Sequence, residues 1–165
     1  QKKKIPLESV MAKSWNKKIF KQIDEKVNKA SKDLAEERGA CPDAEEYGFK
    51  ERFSNKTAIA PTASISIICG GASPGVEPIA ANSYTHKTLS GSFNVRNRYL
   101  EEILESHSKN DDETWSTITT NQGSVSHLDF LTDLEKDVFK TAFELNQKWI
   151  IELSGDRTPF ISQAQ

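Results

Sequence analysis

Apolar residues recur every third or fourth position near the start of the chain. They are Trp15, Ile19, Ile23, Val27, Ala30 and Leu34. This spacing puts all of them on one face of an α-helix, with polar residues on the opposite face. It predicts a long amphipathic helix over residues 14–38 that packs through its apolar face. Ser14 is the expected N-cap, and Gly39 is the expected C-terminal stop.

A different pattern follows a loop-like stretch at residues 40–54. Thr57-Ala58-Ile59-Ala60 is a short apolar run of the kind found in fully buried strands. Pro61 ends the run, because proline cannot donate to a sheet ladder. The pattern predicts an inner strand over residues 56–60, then a tight turn and the start of a helix.

The middle of the chain predicts shorter elements. Residues 83–96 read as two strands around the turn Leu89-Ser90-Gly91-Ser92. Asn97 is the expected cap of a short helix that reaches about His107, and a second short helix is expected around residues 115–119.

The last part of the chain predicts one long helix over residues 132–153. Thr132-Asp133-Leu134-Glu135 fits a capping box, and Gly155 is the expected stop. The apolar residues of this segment are Leu134, Val138, Ala142, Leu145 and Trp149.

Composition narrows the class of protein. The 165 residues are 36% hydrophobic and 28% charged, which suits a soluble globular domain with its own core. No apolar run approaches the roughly 20 residues of a membrane span, and no secretory signal follows the N-terminal lysines, so we expect a cytoplasmic protein. The net charge of -2 argues against a general nucleic-acid binder. Residues 1–32 hold ten lysines against three acids, which indicates a solvated helix face or, alternatively, a contact with a polyanion or partner.

Cysteine and histidine give no metal or redox motif. Cys41 and Cys69 are far apart and form no C-x-x-C pair, so both are interpreted as structural thiols. His86, His107 and His127 are isolated and have no metal-ligand spacing, which favours surface or hydrogen-bonding roles.

The segment Thr62-Ala63-Ser64-Ile65-Ser66 has candidate binding chemistry. The first N–H groups of a helix lack internal partners, and the helix dipole favours an anion there. Small side chains allow a close approach, and hydroxyl groups add donors, so the segment suits a phosphate. The alternative is that Ser and Thr serve here as ordinary N-caps.

Several motifs along the chain resemble one enzyme family. The run Ile59-Ala60-Pro61-Thr62-Ala63-Ser64-Ile65-Ser66, followed by Gly75-Val76-Glu77-Pro78, resembles the A-P-T-x-[ST]-x-S … [GS]-x-E-P signature of ribonucleotide reductase large subunits. Further matches, in order, are Glu37–Pro42, Tyr84–Phe93, Gly123–Val125, Glu135-Lys136, Phe139–Ala142 and Ile161–Gln165. The resemblance covers about residues 34–165.

The resemblance implies a fold and a site. The fold is α/β: a fragment of the family's ten-stranded α/β barrel, with a long N-terminal helix. Residues 1–55 would be a helical segment and loop at the barrel periphery, and residues 56–165 an incomplete C-terminal part of the barrel. Thr62, Ala63, Ser64, Ile65 and Ser66 would bind the phosphates of the ribonucleotide substrate through backbone N–H groups and hydroxyls.

The resemblance also implies what the chain lacks. It contains no N-x-C-x-E thiyl-radical loop and no tyrosine pair, and Cys41 and Cys69 do not match the family's catalytic cysteines. No catalytic residue is therefore assigned, and we expect an internal piece from a split gene or a truncation. No cofactor is expected on this segment. The complete enzyme would use a protein radical from a metal-containing small subunit, together with ATP and deoxynucleoside triphosphate effectors.

The implied partners are a ribonucleoside diphosphate, the remaining part of the large subunit and the radical-generating small subunit. No membrane or direct nucleic-acid partner is expected. The alternative is a non-catalytic binding or scaffold fragment without turnover. Within the family, Ala63 and the Tyr84–Phe93 match favour the aerobic two-subunit class over the cobalamin-dependent enzymes, which typically have glycine at that position.

Overall fold

A computed structural model describes residues 1–89 and 91–163. Ser90, at the predicted hairpin turn, and the last two residues of the family match, Ala164 and Gln165, lie outside the described residues. Contacts divide the chain into two compact units: residues 1–12 with 61–150, and residues 13–60 with the residues from 151 onward. Within the described ranges, no helix combines the length and the apolar character that crossing a bilayer requires.

Seven α-helices, two strands and one 3-10 helix are described. In chain order they are α1 Val10–Arg38, α2 Pro42–Glu46, α3 Ala63–Ile68, β1 Ser83–Thr88, β2 Gly91–Arg96, α4 Arg98–Ser106, α5 Asp112–Thr120, α6 Asp133–Val138, α7 Gln147–Arg157 and the 3-10 helix Thr158–Phe160.

The long N-terminal helix is confirmed, although its start and its packing differ from the prediction. The helix begins at Val10, and the Ser9 hydroxyl accepts a hydrogen bond from the Ala12 N–H at 3.1 Å, so Ser9 rather than Ser14 caps it. Gly39 follows the last turn with a φ of +82°, as expected of a C-terminal glycine stop.

The first half of the predicted packing face of α1 is exposed. Trp15, Ile19 and Ile23 keep 37%, 45% and 41% of their surface accessible, while the buried residues of the helix are Ser31 and Ala35. The prediction that the helix packs through Trp15, Ile19 and Ile23 is wrong for this chain, whereas Val27 on the same face is half-buried. The buried residues of the helix lie near its C-terminal end. There, the Ser31 hydroxyl accepts a hydrogen bond from the N–H of Arg52 at 3.1 Å.

The strand predicted over residues 56–60 is not formed. The segment has no ladder with another strand among the described residues. Thr57 bonds to Ser162 and Gln163 without forming a ladder: its carbonyl accepts from the Gln163 N–H at 3.2 Å, its N–H donates to the Ser162 hydroxyl at 3.4 Å, and its own hydroxyl accepts from the Ser162 N–H at 3.0 Å. A strand exists only with a partner strand, and single bonds of this kind do not make a ladder.

The predicted hairpin is confirmed as an antiparallel pair. β1 and β2 pair in register from Ser83 opposite Arg96 to Thr88 opposite Gly91. Tyr84, His86, Phe93 and Val95 therefore project from one face, because side chains alternate along a strand. The two short helices that follow are also confirmed: the Asn97 side chain caps α4 by accepting from the Tyr99 N–H at 3.1 Å, and Asp111 caps α5.

The core of the first unit is formed by α4, α5, α6 and the loop between α5 and α6. Its buried residues are Leu100, Ile103, Leu104, Trp115, Ile118, Val125, Leu128, Leu131, Val138 and Phe139. The indole N–H of Trp115 donates to the Asn110 side chain at 2.7 Å, which satisfies the one polar atom that this large ring buries.

A buried asparagine holds the base of the hairpin on this core. The Asn82 amide donates to the carbonyls of Gly123 and Phe139, at 3.0 and 2.7 Å, and its oxygen accepts from the Asn97 amide at 2.7 Å. Every polar atom of this side chain is therefore satisfied, as the burial of an amide requires.

The single helix predicted over residues 132–153 is two helices. The capping box is present, with Thr132 and Glu135 bonded reciprocally, but α6 ends at Val138. α7 begins at Gln147 and includes Gly155, so Gly155 does not stop it. Between the helices, the backbone bonds to distant groups: the Ala142 N–H donates to the Ile79 carbonyl at 3.1 Å, and the Asn146 N–H donates to Glu8 at 2.7 Å. These bonds replace the helical ones.

Candidate functional site

The hydroxyl-rich segment begins a closed loop over residues 62–74. At its ends, the Thr62 N–H and hydroxyl both donate to the Pro74 carbonyl, at 2.9 and 3.3 Å. At its far side, the N–H groups of Gly71 and Ala72 both donate to the Ser66 carbonyl, at 3.0 and 3.2 Å. Gly70 and Gly71 have φ values of +87° and +77°, which glycine adopts without the steric cost of a side chain. The loop therefore has a defined shape around α3.

The first turn of α3 leaves donors available. The N–H of Ser66 makes the first helical bond, to the Thr62 carbonyl at 2.7 Å. Within the described part of the chain, the N–H groups of Ala63, Ser64 and Ile65 have no recorded acceptor, and all three residues are exposed. Three neighbouring donors at a helix start are the backbone arrangement that suits an anion.

The hydroxyl groups of the segment differ in their surroundings. The Ser66 side chain is buried, and its hydroxyl donates to the Ala63 carbonyl at 2.8 Å. The Thr62 hydroxyl donates to Pro74, so both of these hydroxyl protons are already used inside the loop. The Ser64 side chain is exposed and has no recorded partner in the described residues. Ser64 is thus the hydroxyl best placed to donate to a ligand.

The ordinary N-cap interpretation has little support at this helix. Thr62 occupies the N-cap position with φ −120° and ψ 41°, and its side chain makes no capping hydrogen bond. The loop is instead tied through Pro74. The role of these five residues in phosphate binding stays a prediction.

Sequence reasoning missed a cation that lies against this loop. A Cβ built on Gly70 would lie 2.9 Å from Nη1 of Arg98, so the guanidinium rests directly on the glycine backbone. Arg98 is 28 positions further along the chain, in the first turn of α4. No local pattern connects the two residues, because the contact depends on how the hairpin folds back.

Cys41 and Cys69 are free thiols, and two of the three histidines contact neighbouring side chains. His107 Nε2 lies 3.2 Å from the Glu135 carboxylate, and His127 Nε2 lies 3.1 Å from the Thr117 hydroxyl. Among the residues that the structure describes, no group of three or more His, Cys, Asp or Glu side chains is arranged to hold a metal ion.

Comparisons with known proteins agree on one family. A family model described as "Ribonucleotide reductase, barrel domain" matches residues 43–165. Over its whole length the chain is 46% identical to the ribonucleoside-diphosphate reductase large subunit of Invertebrate iridescent virus 6, of which it covers 17%. Over 98% of its length it is 30% identical to the ribonucleoside-diphosphate reductase large chain 2 of Saccharomyces cerevisiae, of which it covers 22%.

A solved structure is similar in fold as well as in sequence. The class Id ribonucleotide reductase alpha subunit of Actinobacillus ureae superposes with a TM-score of 0.88 over 99% of this chain, at 38% identity. The chain spans 29% of that subunit and less than a third of the curated relatives named above. Because the family model covers most of the chain and the fold agrees, the chain belongs to the ribonucleotide reductase barrel-domain family.

Proposed function

We propose that this chain supplies the substrate-phosphate-binding turn of a ribonucleoside-diphosphate reductase large subunit. The observation that supports this most is the exposed first turn of α3, where three backbone N–H groups and the Ser64 hydroxyl lack protein partners in the described residues. This turn coincides with the family signature at residues 60–66.

In this proposal, the backbone does most of the binding. The N–H groups of Ala63, Ser64 and Ile65 donate to phosphate oxygens, and the Ser64 hydroxyl adds a fourth donor. Hydrogen bonds to a charged acceptor are stronger than those between neutral groups. The residues Thr62 and Ser66 contribute indirectly, because their internal hydrogen bonds fix the shape of the loop. A diphosphate held at the turn would orient the attached ribose for reaction.

The chemical step itself is proposed to use groups from elsewhere in the enzyme. Reduction of the ribose would rely on cysteines in the remaining part of the large subunit, since this sequence has no N-x-C-x-E loop. The radical would come from the small subunit. The chain would therefore contribute substrate binding and barrel packing, and it would be inactive alone.

The test uses a chimeric large subunit, in which this chain replaces the matching segment of the iridescent virus 6 protein. In that chimera, Ser64→Ala should raise the KM for a ribonucleoside diphosphate about tenfold, since one hydrogen bond to a charged ligand contributes roughly 1.5–3 kcal/mol. Ala63→Asp should raise the KM further, because it places a like charge beside the phosphate.

The matched control is Ser92→Ala, which removes another exposed serine hydroxyl on β2. It should leave the KM unchanged. Melting temperatures are measured for all three variants. A lower melting temperature for Ser64→Ala, with an unchanged KM, would rule out the phosphate role and would support a purely structural one.

A further inference from the structure

A cavity of about 510 Å³ lies within the first unit, beside the 62–74 loop. One face of the hairpin forms one wall through Tyr84, His86 and Val95. Other apolar lining residues are Ile5, Leu7, Ile67, Pro78, Ile79 and Leu145. A concave, mostly apolar space of this size is typical of sites for small organic molecules.

The charged groups around the cavity are predominantly cationic. Its lining includes Lys2, Arg96, Arg98 and Lys140 but only one carboxylate, that of Asp137. Two of the cations have acidic partners: Arg96 pairs with Asp112 at 2.7 Å, and Lys140 pairs with Asp137 and Glu8 at 2.8 and 2.9 Å. An anion is therefore the ligand charge that this space favours.

Arg98 is the cation best placed to receive that anion. Its guanidinium donates to the Tyr99 hydroxyl at 2.7 Å and lies 4.8 Å from the centre of the Tyr99 ring. Within the described part of the chain, no carboxylate lies within ion-pair distance of it. The ring and Gly70 hold the guanidinium in place, while its charge remains without a counter-ion.

We propose that this cavity binds a small amphipathic organic anion. An apolar body would occupy the space between the hairpin face and Ile79, and a carboxylate or sulfonate head would pair with Arg98. A planar anionic group matches the fork of guanidinium donors. Among the described residues, the lining includes Ile67 and residues 70–73 of the loop but none of residues 62–66, and the proposal does not depend on the phosphate role.

Naphthalene-1-sulfonate is a suitable probe, and uncharged 1-naphthalenemethanol is its neutral counterpart. Calorimetric titration of the 165-residue chain should show saturable binding of the sulfonate, tighter than that of the alcohol. Arg98→Gln should weaken sulfonate binding about tenfold and leave the alcohol nearly unaffected, since only the ion pair is lost. Arg98→Lys should retain part of the affinity. Arg38→Gln, which removes another exposed arginine at the end of α1, is the control and should bind as the unmodified chain does.

A second measurement needs no variant of Arg98. Methyl NMR of the unmodified chain should show sulfonate-induced shifts at Ile67, Ile79 and Val95. The substitution Ala72→Trp, which fills the cavity from the loop, should abolish binding of both probes. Absence of saturable binding would overturn the proposal. So would shifts confined to Ile19 and Ile23 of α1, or equal sulfonate affinity in the unmodified chain, Arg98→Gln and Ala72→Trp.

Discussion

Gly123 shows how one residue positions the hairpin. It follows α5 with a φ of +79°, and its N–H donates to the Ile118 carbonyl at 2.8 Å. Its carbonyl accepts from both the backbone and the side chain of Asn82, at 3.1 and 3.0 Å. A Cβ at this position would overlap the Cβ of Ala81 and lie 2.8 Å from the Asn82 nitrogen. Only glycine allows the two segments to approach this closely.

Gly123→Ala should therefore be strongly destabilising, by about 2–5 kcal/mol, because backbone strain and overpacking add. Gly71→Ala is the matched comparison: its φ is +77°, but nothing lies within 4 Å of the added methyl group, so about 1–2 kcal/mol is expected. Urea unfolding of the two variants measures the difference. Equal losses of unfolding free energy would show that the close approach at Gly123 does not contribute to the cost of the substitution.

Only part of the arrangement of single side chains in the candidate site could be predicted from the sequence. The residue types at 62–66 and their order were enough to predict a hydroxyl-rich helix start. They did not indicate that Ser66 points inward to the Ala63 carbonyl, or that Pro74 would occupy the Thr62 hydroxyl. Those outcomes depend on loop closure, which no single residue specifies.

Among the elements, α6 shows where local signals suffice and where they fail. The capping box could be predicted from the sequence, because its partners Thr132 and Glu135 are only three positions apart. The end of the helix at Val138 could not be predicted from local sequence, because the apolar spacing continues to favour a helix. The backbone N–H groups that follow it instead donate to Glu8 and Ile79, which are distant in sequence.

Titration of Glu135 should reveal the contribution of this cap. Burial alone would raise the pKa of Glu135, but hydrogen bonds from the Thr132 N–H and hydroxyl and from His107 outweigh it, and the pKa is lowered. A carboxyl group with a lowered folded pKa adds stability that is present above the ordinary value of about 4.3. This stability is lost as the pH falls through the lower folded value.

Glu135→Gln keeps a side chain that suits the cap but removes the charge. It should cost about 1 kcal/mol of unfolding free energy at pH 7, and the deficit should shrink as the pH falls towards 3. Denaturant unfolding at several pH values measures this. A deficit independent of pH would mean that the charge of Glu135 does not stabilise the cap.

On the scale of the whole molecule, family motifs were more informative than periodicity. The motifs from Glu37 to Gln165 led to the barrel family, which the comparisons confirm. Periodicity predicted the amphipathic character of α1 but not what covers its apolar stripe. It also predicted a strand at residues 56–60, which requires a ladder partner that the described chain does not provide.

The exposed stripe of α1 predicts association. The stripe consists of Trp15, Ile19 and Ile23, and contiguous apolar surface of this kind tends to be covered by other protein. We expect the isolated chain to self-associate at micromolar concentration in sedimentation experiments, and Ile19→Glu with Ile23→Glu should reduce that association. Lys21→Glu, an exposed position on the opposite side of the helix, is the control. A monodisperse monomer would count against a role for this face in packing.

Turnover of the chimeric large subunit is the decisive measurement of whether this chain can serve in a reductase. With the small subunit that matches the large subunit used, a chimera that carries this chain should convert a ribonucleoside diphosphate to its deoxy form. The isolated 165-residue chain with the same small subunit should form none, because it lacks the N-x-C-x-E loop. Deoxynucleotide formation by the isolated chain would disprove the proposed role, as would a chimera that melts cooperatively, binds the small subunit and still forms no product.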